Sequence, residues 1–270
     1  MPQEKHAENE APAARILLLK AVNEYPKLEA VKISIVVPAF NEERLLGQSL
    51  AQMKSAAGVF VRQGWEFELI VCDNNSTDRT AEIARSAGAR VVFEPVNQIA
   101  RARNRGAGAA TGDWLIFVDA DSQPGAGLFE EVAEQIQSGR CLAGGTTVRM
   151  DEKLWAAELI TWLWNYSSRM GRWLAGSFIF VEAAAFRELG GFNQELFAAE
   201  ELDLSRRLKR RSRQTGRGVV ILHRHPLVTS ARKLRLYTLW DHLKLLAHVL
   251  FNRRALTRRE SCTLWYDGRR

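Results

Sequence analysis

The chain has 270 residues, 46% of them hydrophobic and 26% charged, an ordinary composition for a soluble globular protein with room for one large domain or two small ones. Its net charge of +7 is unevenly spread: residues 205–270 hold 18 Lys and Arg against 3 Asp and Glu, which leaves residues 1–204 at −8. Three cysteines, Cys72, Cys141 and Cys262, are too few and too scattered for a disulfide framework or a zinc pattern, and they suit a reducing compartment.

No run of about 18 uncharged apolar residues occurs, so a membrane span is not expected. The apolar run Ile16–Leu19 is too short for the core of a signal peptide. The expected location is cytoplasmic, at most peripheral to the inner face of a membrane. The basic third reads first as a solvated face. Anionic headgroups or phosphates are the alternatives, and no nucleic-acid motif accompanies it.

Residues 1–30 read as a polar tail with a short helix. "KISIVVPAF" then gives a β-branched run, Ile33–Val37, closed by Pro38, a buried strand. A helix is expected over 42–62. Strands at 67–72, 90–95 and 114–119 alternate with helices at 78–88, 100–112 and 127–139. Either Ser76 or Asp78 is placed to cap the helix at 78–88. Such alternation predicts βαβ units and a mostly parallel sheet. After residue 140 the rhythm changes to a strand, a Trp-rich helix over 152–174, a strand with a short helix and Gly190–Gly191, a charged helix from 199, and a strand from 218. A last helix over 234–251 sets Leu236, Leu239, Leu243, Leu246 and Leu250 in one stripe. Packing against the sheet is favoured for it over lying on anionic lipid.

Ligands of open α/β sheets bind beyond the carboxyl ends of the strands. Three polar clusters fall there: "PAFNEE", "DNNSTD" and "DADSQP". In the last, a buried strand runs into Asp119 and Asp121, two carboxylates that repel unless one is protonated or a cation sits between them. Mg²⁺ or Mn²⁺ fits, held by one or two carboxylates plus substrate phosphates. Asp73 and Asn74 can accept hydrogen bonds from a base or ribose. Arg101, Arg103 and Arg105, with Asn104 among them, lie near the same rim, where guanidinium forks suit phosphate. Glu200, Glu201 and Asp203 open a helix, as dipole partners or as a general base. His223 and His225 share a strand face, and either is a candidate third metal ligand beside the commoner role of an ordinary histidine. Trp155, Trp162, Trp164 and Trp173 read first as core and second as sugar- or lipid-stacking platforms.

Taken in series, "VVPAFNEE", "ELIVCDNNSTDRT", "ARARNRGAGAATGDWLIFVDADSQP" and "GGFNQELFAAEELDLSRRL" resemble family-2 glycosyltransferases over residues 32–230. The resemblance implies a GT-A fold: a Rossmann-like α/β/α sandwich with a mostly parallel central sheet and a C-terminal helical acceptor-side region. It divides the chain into the tail (1–30), a transferase domain (31–230) with a nucleotide-sugar half (31–125) and an acceptor half (126–230), and a basic helix and tail (231–270). It implies inverting transfer from a nucleotide diphosphate sugar, UDP favoured over GDP, to an acceptor hydroxyl that is lipid-linked, saccharide or a small molecule. Pro38, Ala39, Phe40, Glu42, Asp73, Asn74, Arg103, Asn104 and Ala120 would meet the donor. Asp119, Asp121 and Gln123 would serve the cation, with His223 added to them from the residue reading alone. Glu201 would be the base, where the family usually has Asp, just as Asn74 stands where it often has Asp. Gly176–Ser177 and Gly190–Phe192 match the region facing the acceptor. Two other classes share parts of the pattern: a nucleotidyltransferase, which would want a Gly-rich loop after the first strand, and a non-catalytic sugar-nucleotide module.

Overall fold

The computed structural model describes residues 30–151, 155–230 and Thr257. Expectations for the tail, the last leucine-striped helix and the side chain of Trp155 fall outside the described residues.

The first half alternates as expected: β1 (Lys32–Ala39), α1 (Leu46–Arg62), β2 (Glu66–Asp73), α2 (Thr80–Ser86), β3 (Arg90–Phe93), α3 (Ile99–Ala109) and β4 (Trp114–Val118). A two-residue β5 (Ser122–Gln123), α4 (Ala126–Gln137) and β6 (Cys141–Met150) come next. Then come α5 (Trp155–Gly171), β7 (Phe178–Glu182), α6 (Ala183–Glu188), α7 (Glu200–Thr215) and β8 (Gly218–Thr229). The helix expected from residue 42 begins four residues later. Asn41 takes a left-handed turn (φ +52°), and the Glu42 carbonyl accepts from Leu45 and Leu46 in a turn.

One sheet carries all eight strands in the order β3-β2-β1-β4-β7-β6-β8-β5. From β3 to β4 every pairing is parallel, as expected. Beyond β4 the sheet is mixed: β7 is antiparallel to both β4 and β6, while β8 runs parallel to β6. The sheet therefore crosses residue 125 without a break.

The strands' period of two sends alternate side chains to opposite layers. Ile33, Ile35 and Val37 face α1 and α4, where Leu46, Leu50, Met53, Phe129 and Val132 are buried. Val36, Ile70, Leu115 and Phe117 point to the other layer, with Ala100 and Ala107 of α3 and Leu204 and Leu208 of α7. Two helical layers around a sheet make the α/β/α sandwich. Helix α3 lies close: a Cβ on Gly106 would come within 2.4 Å of Val36 Cγ1, so only glycine fits there.

Register sets the rim of the site. Ala39 pairs with Asp73, and β1 runs beside β4 with Val36 opposite Phe117. The carboxyl ends of β1, β2 and β4 thus finish level with one another, with Asp73 and Asp119 at their tips.

Candidate active site

Two loops at this rim are stitched together by hydrogen bonds of their own. Asn41 Oδ1 accepts from the Thr77 N–H at 2.8 Å, and the Asn41 N–H donates to Ser76 Oγ at 3.0 Å. The N–H of Glu42, which is buried, donates to Thr80 Oγ1 at 2.8 Å. Asp78 Oδ1 accepts from the Thr80 N–H at 2.9 Å in a local turn just before α2; the N-cap position is Arg79 and makes no side-chain cap, so neither Asp78 nor Ser76 takes the capping place expected of them. Asp73 Oδ1 accepts from the Ser76 N–H, closing the turn after β2.

Asn74 has a different occupation from the one its type suggested. Its amide donates to the carbonyls of Glu94 (3.1 Å) and Val96 (2.6 Å), and its Oδ1 accepts from the Gln98 N–H (3.0 Å). Both amide protons are therefore spent on the loop between β3 and α3, and Asn74 is buried. It shapes the wall beside Asp73. Gln98, not singled out in the sequence, extends the same brace by donating to the carbonyls of Gln194 and Leu196.

Asn104 clamps the main chain of Phe192 from both sides, donating to its carbonyl at 2.8 Å and accepting its N–H at 2.9 Å. The turn that makes this fit needs Gly191, whose φ is +71° and whose absent Cβ would stand 2.6 Å from Asn104 Oδ1. Gly191→Ala is expected to destabilise the fold by about 1–3 kcal/mol through left-handed strain and loss of this clamp. Urea denaturation of the variant measures this; a midpoint equal to the parent's would refute it.

The centre of the site is Arg103, 2% exposed on α3. Its guanidinium donates to Glu200 Oε1 at 2.6 Å, to Asp119 Oδ1 at 3.0 Å and to the Gly176 carbonyl at 2.7 Å. It also lies 5.2 Å from the centre of the Phe192 ring. Burial alone would lower its pKa; the charges of Asp119, Glu200 and Glu201 more than reverse this and hold it above the ordinary guanidinium value. The Asp119 N–H donates to the Ser177 carbonyl at 3.2 Å, so Asp119 is held by the 176–177 turn through its backbone and by Arg103 of α3 through its carboxylate.

Glu201 stands next to Glu200 at the start of α7. A Cβ on Gly176 would lie 3.7 Å from its carboxyl carbon, which puts Glu201 against the same turn as Arg103. Burial, then the charge of Glu200, push its carboxyl up to about 8, against the opposing pull of Arg103. Ala199, just before the helix, holds φ +61°, a left-handed conformation that fixes how the two glutamates enter the site.

Arg103, Asp119, Glu200, Glu201 and the 176–177 turn are thus brought together, with Asp121 two residues beyond Asp119 and Ala39, Phe40, Glu42 and Asp73 along the same rim. Gln123 lies in β5, opposite Val228. His223 is five residues back along β8 from Val228 and is exposed, lining a separate depression with Arg169 and Arg172. His225 is held by Glu131 of α4, its Nδ1 2.8 Å from Glu131 Oε1. Among the described residues neither histidine joins Asp119 and Asp121 in a group that could hold a metal ion; residues 223–226 bulge out of the β6–β8 register. Of the tryptophans, Trp164 packs on the core, Trp162 is 62% exposed, and Trp173 carries the Lys209 ammonium 3.3 Å over its ring.

Asp119 and Asp121 offer only oxygen donors. Among the described residues, no group of three His, Cys, Asp or Glu is arranged to enclose a metal ion by itself. Such a set fits a hard divalent cation that completes its shell with phosphate oxygens and water, rather than a protein-caged one.

Comparison with known proteins bears on the fold and the family. A curated relative, the uncharacterized glycosyltransferase Rv0539 of Mycobacterium tuberculosis, is 33% identical over 113 residues, 42% of this chain and 47% of that protein. The chain thus spans about half the length of that relative. Among solved structures, S. aureus TarS 1-349 superposes with a TM-score of 0.60 at 19% identity, over 88% of this chain and 78% of that one. Glucosyl-3-phosphoglycerate synthase from Mycobacterium tuberculosis, solved with Mn²⁺, UDP and phosphoglyceric acid, superposes with a TM-score of 0.56 at 20% identity, over 86% and 78%. At these identities the superpositions carry the fold, which is GT-A. The profile of the family described as Glycosyl transferase family 2 matches residues 34–187, and on that match the chain belongs to this family of glycosyltransferases.

Proposed function

We propose that this glycosyltransferase is metal-dependent and inverting, moving a sugar from a nucleotide diphosphate donor, UDP ahead of GDP, to an acceptor hydroxyl. The observation that carries the reading is the buried cluster of Arg103 with Asp119 and Glu200, with Glu201 against the same turn. Residues 31–125 would form the donor half and 126–230 the acceptor half, joined by the continuous sheet. The solved neighbour that holds Mn²⁺ and UDP supports both the cation and the base.

In this reading Asp73, in the turn after β2, accepts a hydrogen bond from the base or ribose, and Asn74 holds the wall behind it. Pro38, Ala39, Phe40 and Glu42 line the opposite side, with Ala120 between the two aspartates. Asp119 and Asp121 would hold Mn²⁺ or Mg²⁺ against the donor diphosphate; the cation supplies neutralisation of the charge on the leaving group. Arg103 fixes the Asp119 carboxylate in place and keeps a positive charge near the reacting centre. Glu201 accepts the acceptor hydroxyl's proton as its oxygen attacks the anomeric carbon from the face opposite the leaving diphosphate, which inverts that carbon. Holding the two partners in line supplies much of the rate.

Calorimetric titration with UDP and with GDP in the presence of Mn²⁺ tests the reading. Binding of UDP is expected, weaker binding of GDP, and loss of both with EDTA and in Asp121→Ala. UDP binding that ignores EDTA would remove the cation from the mechanism; no binding of either nucleotide would remove the donor assignment.

A further inference from the structure

Helix α5 has two unlike faces. One is turned into the protein: Thr161 and Ser168 are buried, Trp164 packs on the core, and the Asn165 amide pairs with both the N–H and the carbonyl of Val148 at 2.9 Å. The other face carries Leu159, Trp162, Leu163, Tyr166 and Met170, each between 50% and 72% exposed. Steps of three and four residues place these five in one stripe about 100° wide. The rings of Trp162 and Tyr166 stack on it at 6.0 Å. Single exposed apolar side chains are normal on a soluble protein; a continuous row of five large ones marks a surface that meets something.

Charge identifies what it meets. The residues at the end of the stripe, Arg169 and Arg172, line a depression of about 330 Å³ together with His223. At the other end of the helix, the Asp151 N–H donates to the carbonyl of Thr229, so the chain leaves β8 beside the approach to α5. Residues 231–270, which continue the chain from there, hold 10 Lys and Arg against 3 Asp and Glu. Both the helix end and the sequence that follows β8 are basic, and an anionic surface would neutralise both.

We propose that α5 docks on a bilayer containing anionic lipid. Its apolar stripe would enter the boundary between headgroups and acyl chains, and Arg169 and Arg172 would meet the phosphates. Aromatic side chains with a polar edge, such as Trp162 and Tyr166, suit that boundary. With 17 residues, α5 lies on the surface; no helix among the described residues is long and apolar enough to cross a membrane. This docking goes beyond the sugar-transfer reading and does not depend on it, since it can be measured with neither donor nor acceptor.

Co-sedimentation of the full chain with vesicles of equal parts phosphatidylglycerol and phosphatidylcholine tests it, with pure phosphatidylcholine as the comparison. Binding to the anionic vesicles is expected, weakened about tenfold or more on neutral vesicles or in high salt. Leu163→Glu with Tyr166→Glu is expected to weaken it about tenfold or more at an unchanged melting temperature. Arg169→Glu with Arg172→Glu is expected to weaken binding to the anionic vesicles alone. Three results would overturn the proposal. The Leu163/Tyr166 variant could bind as the parent does, which would give the membrane contact to residues 231–270 alone. The parent could fail to bind any vesicle. Or the parent could be a dimer in light scattering that the Leu163/Tyr166 variant splits without any vesicle binding, which would make the stripe a contact between copies.

Discussion

Arg103→Ala is expected to destabilise the protein by about 3–5 kcal/mol and to abolish sugar transfer. The side chain is 2% exposed and is the cation between Asp119 and Glu200. Removing one partner of a buried ion cluster leaves the others charged and unpaired, which costs far more than the cluster itself contributes. The Gly176 carbonyl loses its donor as well, and with it the turn that also positions Asp119 loosens. For a domain of about 200 residues this corresponds to a fall in melting temperature of roughly 10 °C. Arg103→Lys is expected to recover only part of the loss, because an ammonium cannot span two carboxylates and a carbonyl as a planar fork does. Thermal denaturation of both variants decides the point. A change in melting temperature within the parent's error would mean that Arg103 does not hold the cluster.

Glu201→Gln is expected to lower the rate of transfer about 10²–10⁴-fold while leaving UDP binding intact, because the amide keeps the shape but cannot take the acceptor's proton. Steady-state kinetics beside calorimetry separates the two quantities. A rate within tenfold of the parent's would give the base role to another group. The same substitution has a second, independent signature. Burial, then the neighbouring charge of Glu200, push the Glu201 carboxyl from 4.5 up to about 8. A carboxyl whose pKa is higher in the folded than in the unfolded state favours folding at low pH, fully below 4.5, and that contribution is lost as the pH rises through about 8. The ligand-free parent should therefore melt at lower temperature at pH 8 than at pH 5, and Glu201→Gln should remove this part of the slope. An identical slope in the variant would mean that Glu201 does not titrate in that range.

Much of this arrangement is legible in the sequence, for physical reasons. The β-branched run at Ile33–Val37 and the apolar run at Trp114–Val118, each ending in polar residues, mark buried strands and their functional ends together. Two carboxylates after a buried strand demand an explanation on electrostatic grounds alone. What local pattern cannot reach is pairing at long range. Glu200 lies 97 residues from Arg103, and its own spacing at a helix start is fully accounted for by the helix dipole. The only hint is an arginine in a Gly- and Ala-rich helix too small to shield it. Asn74 is similar: its residue type allows base recognition, but its protons go to a loop 20 and 22 residues away. The mixed half of the sheet is not legible because β7 inserts antiparallel between β4 and β6, and a buried strand reads the same in either direction. His223 joins the metal ligands on chemistry alone, and the fold sets it beside Arg169 and Arg172 instead.

The short strand β5 bears on how the chain is made. Ser122 and Gln123 come directly after Asp121, and their ladder partners are Thr229 and Val228; the two hydroxyls of Ser122 and Thr229 also bond at 3.1 Å across 107 residues of chain. On the ribosome, the parallel strands β1 to β4 can form while the rest is still being synthesised, but the segment carrying both aspartates stays without its neighbour until β8 has emerged. Loop closure of that length is slow relative to the local βαβ units. The acidic rim is therefore among the last parts of the molecule to acquire its shape, and a chain cut short before residue 228 would carry the motif with one side of it missing.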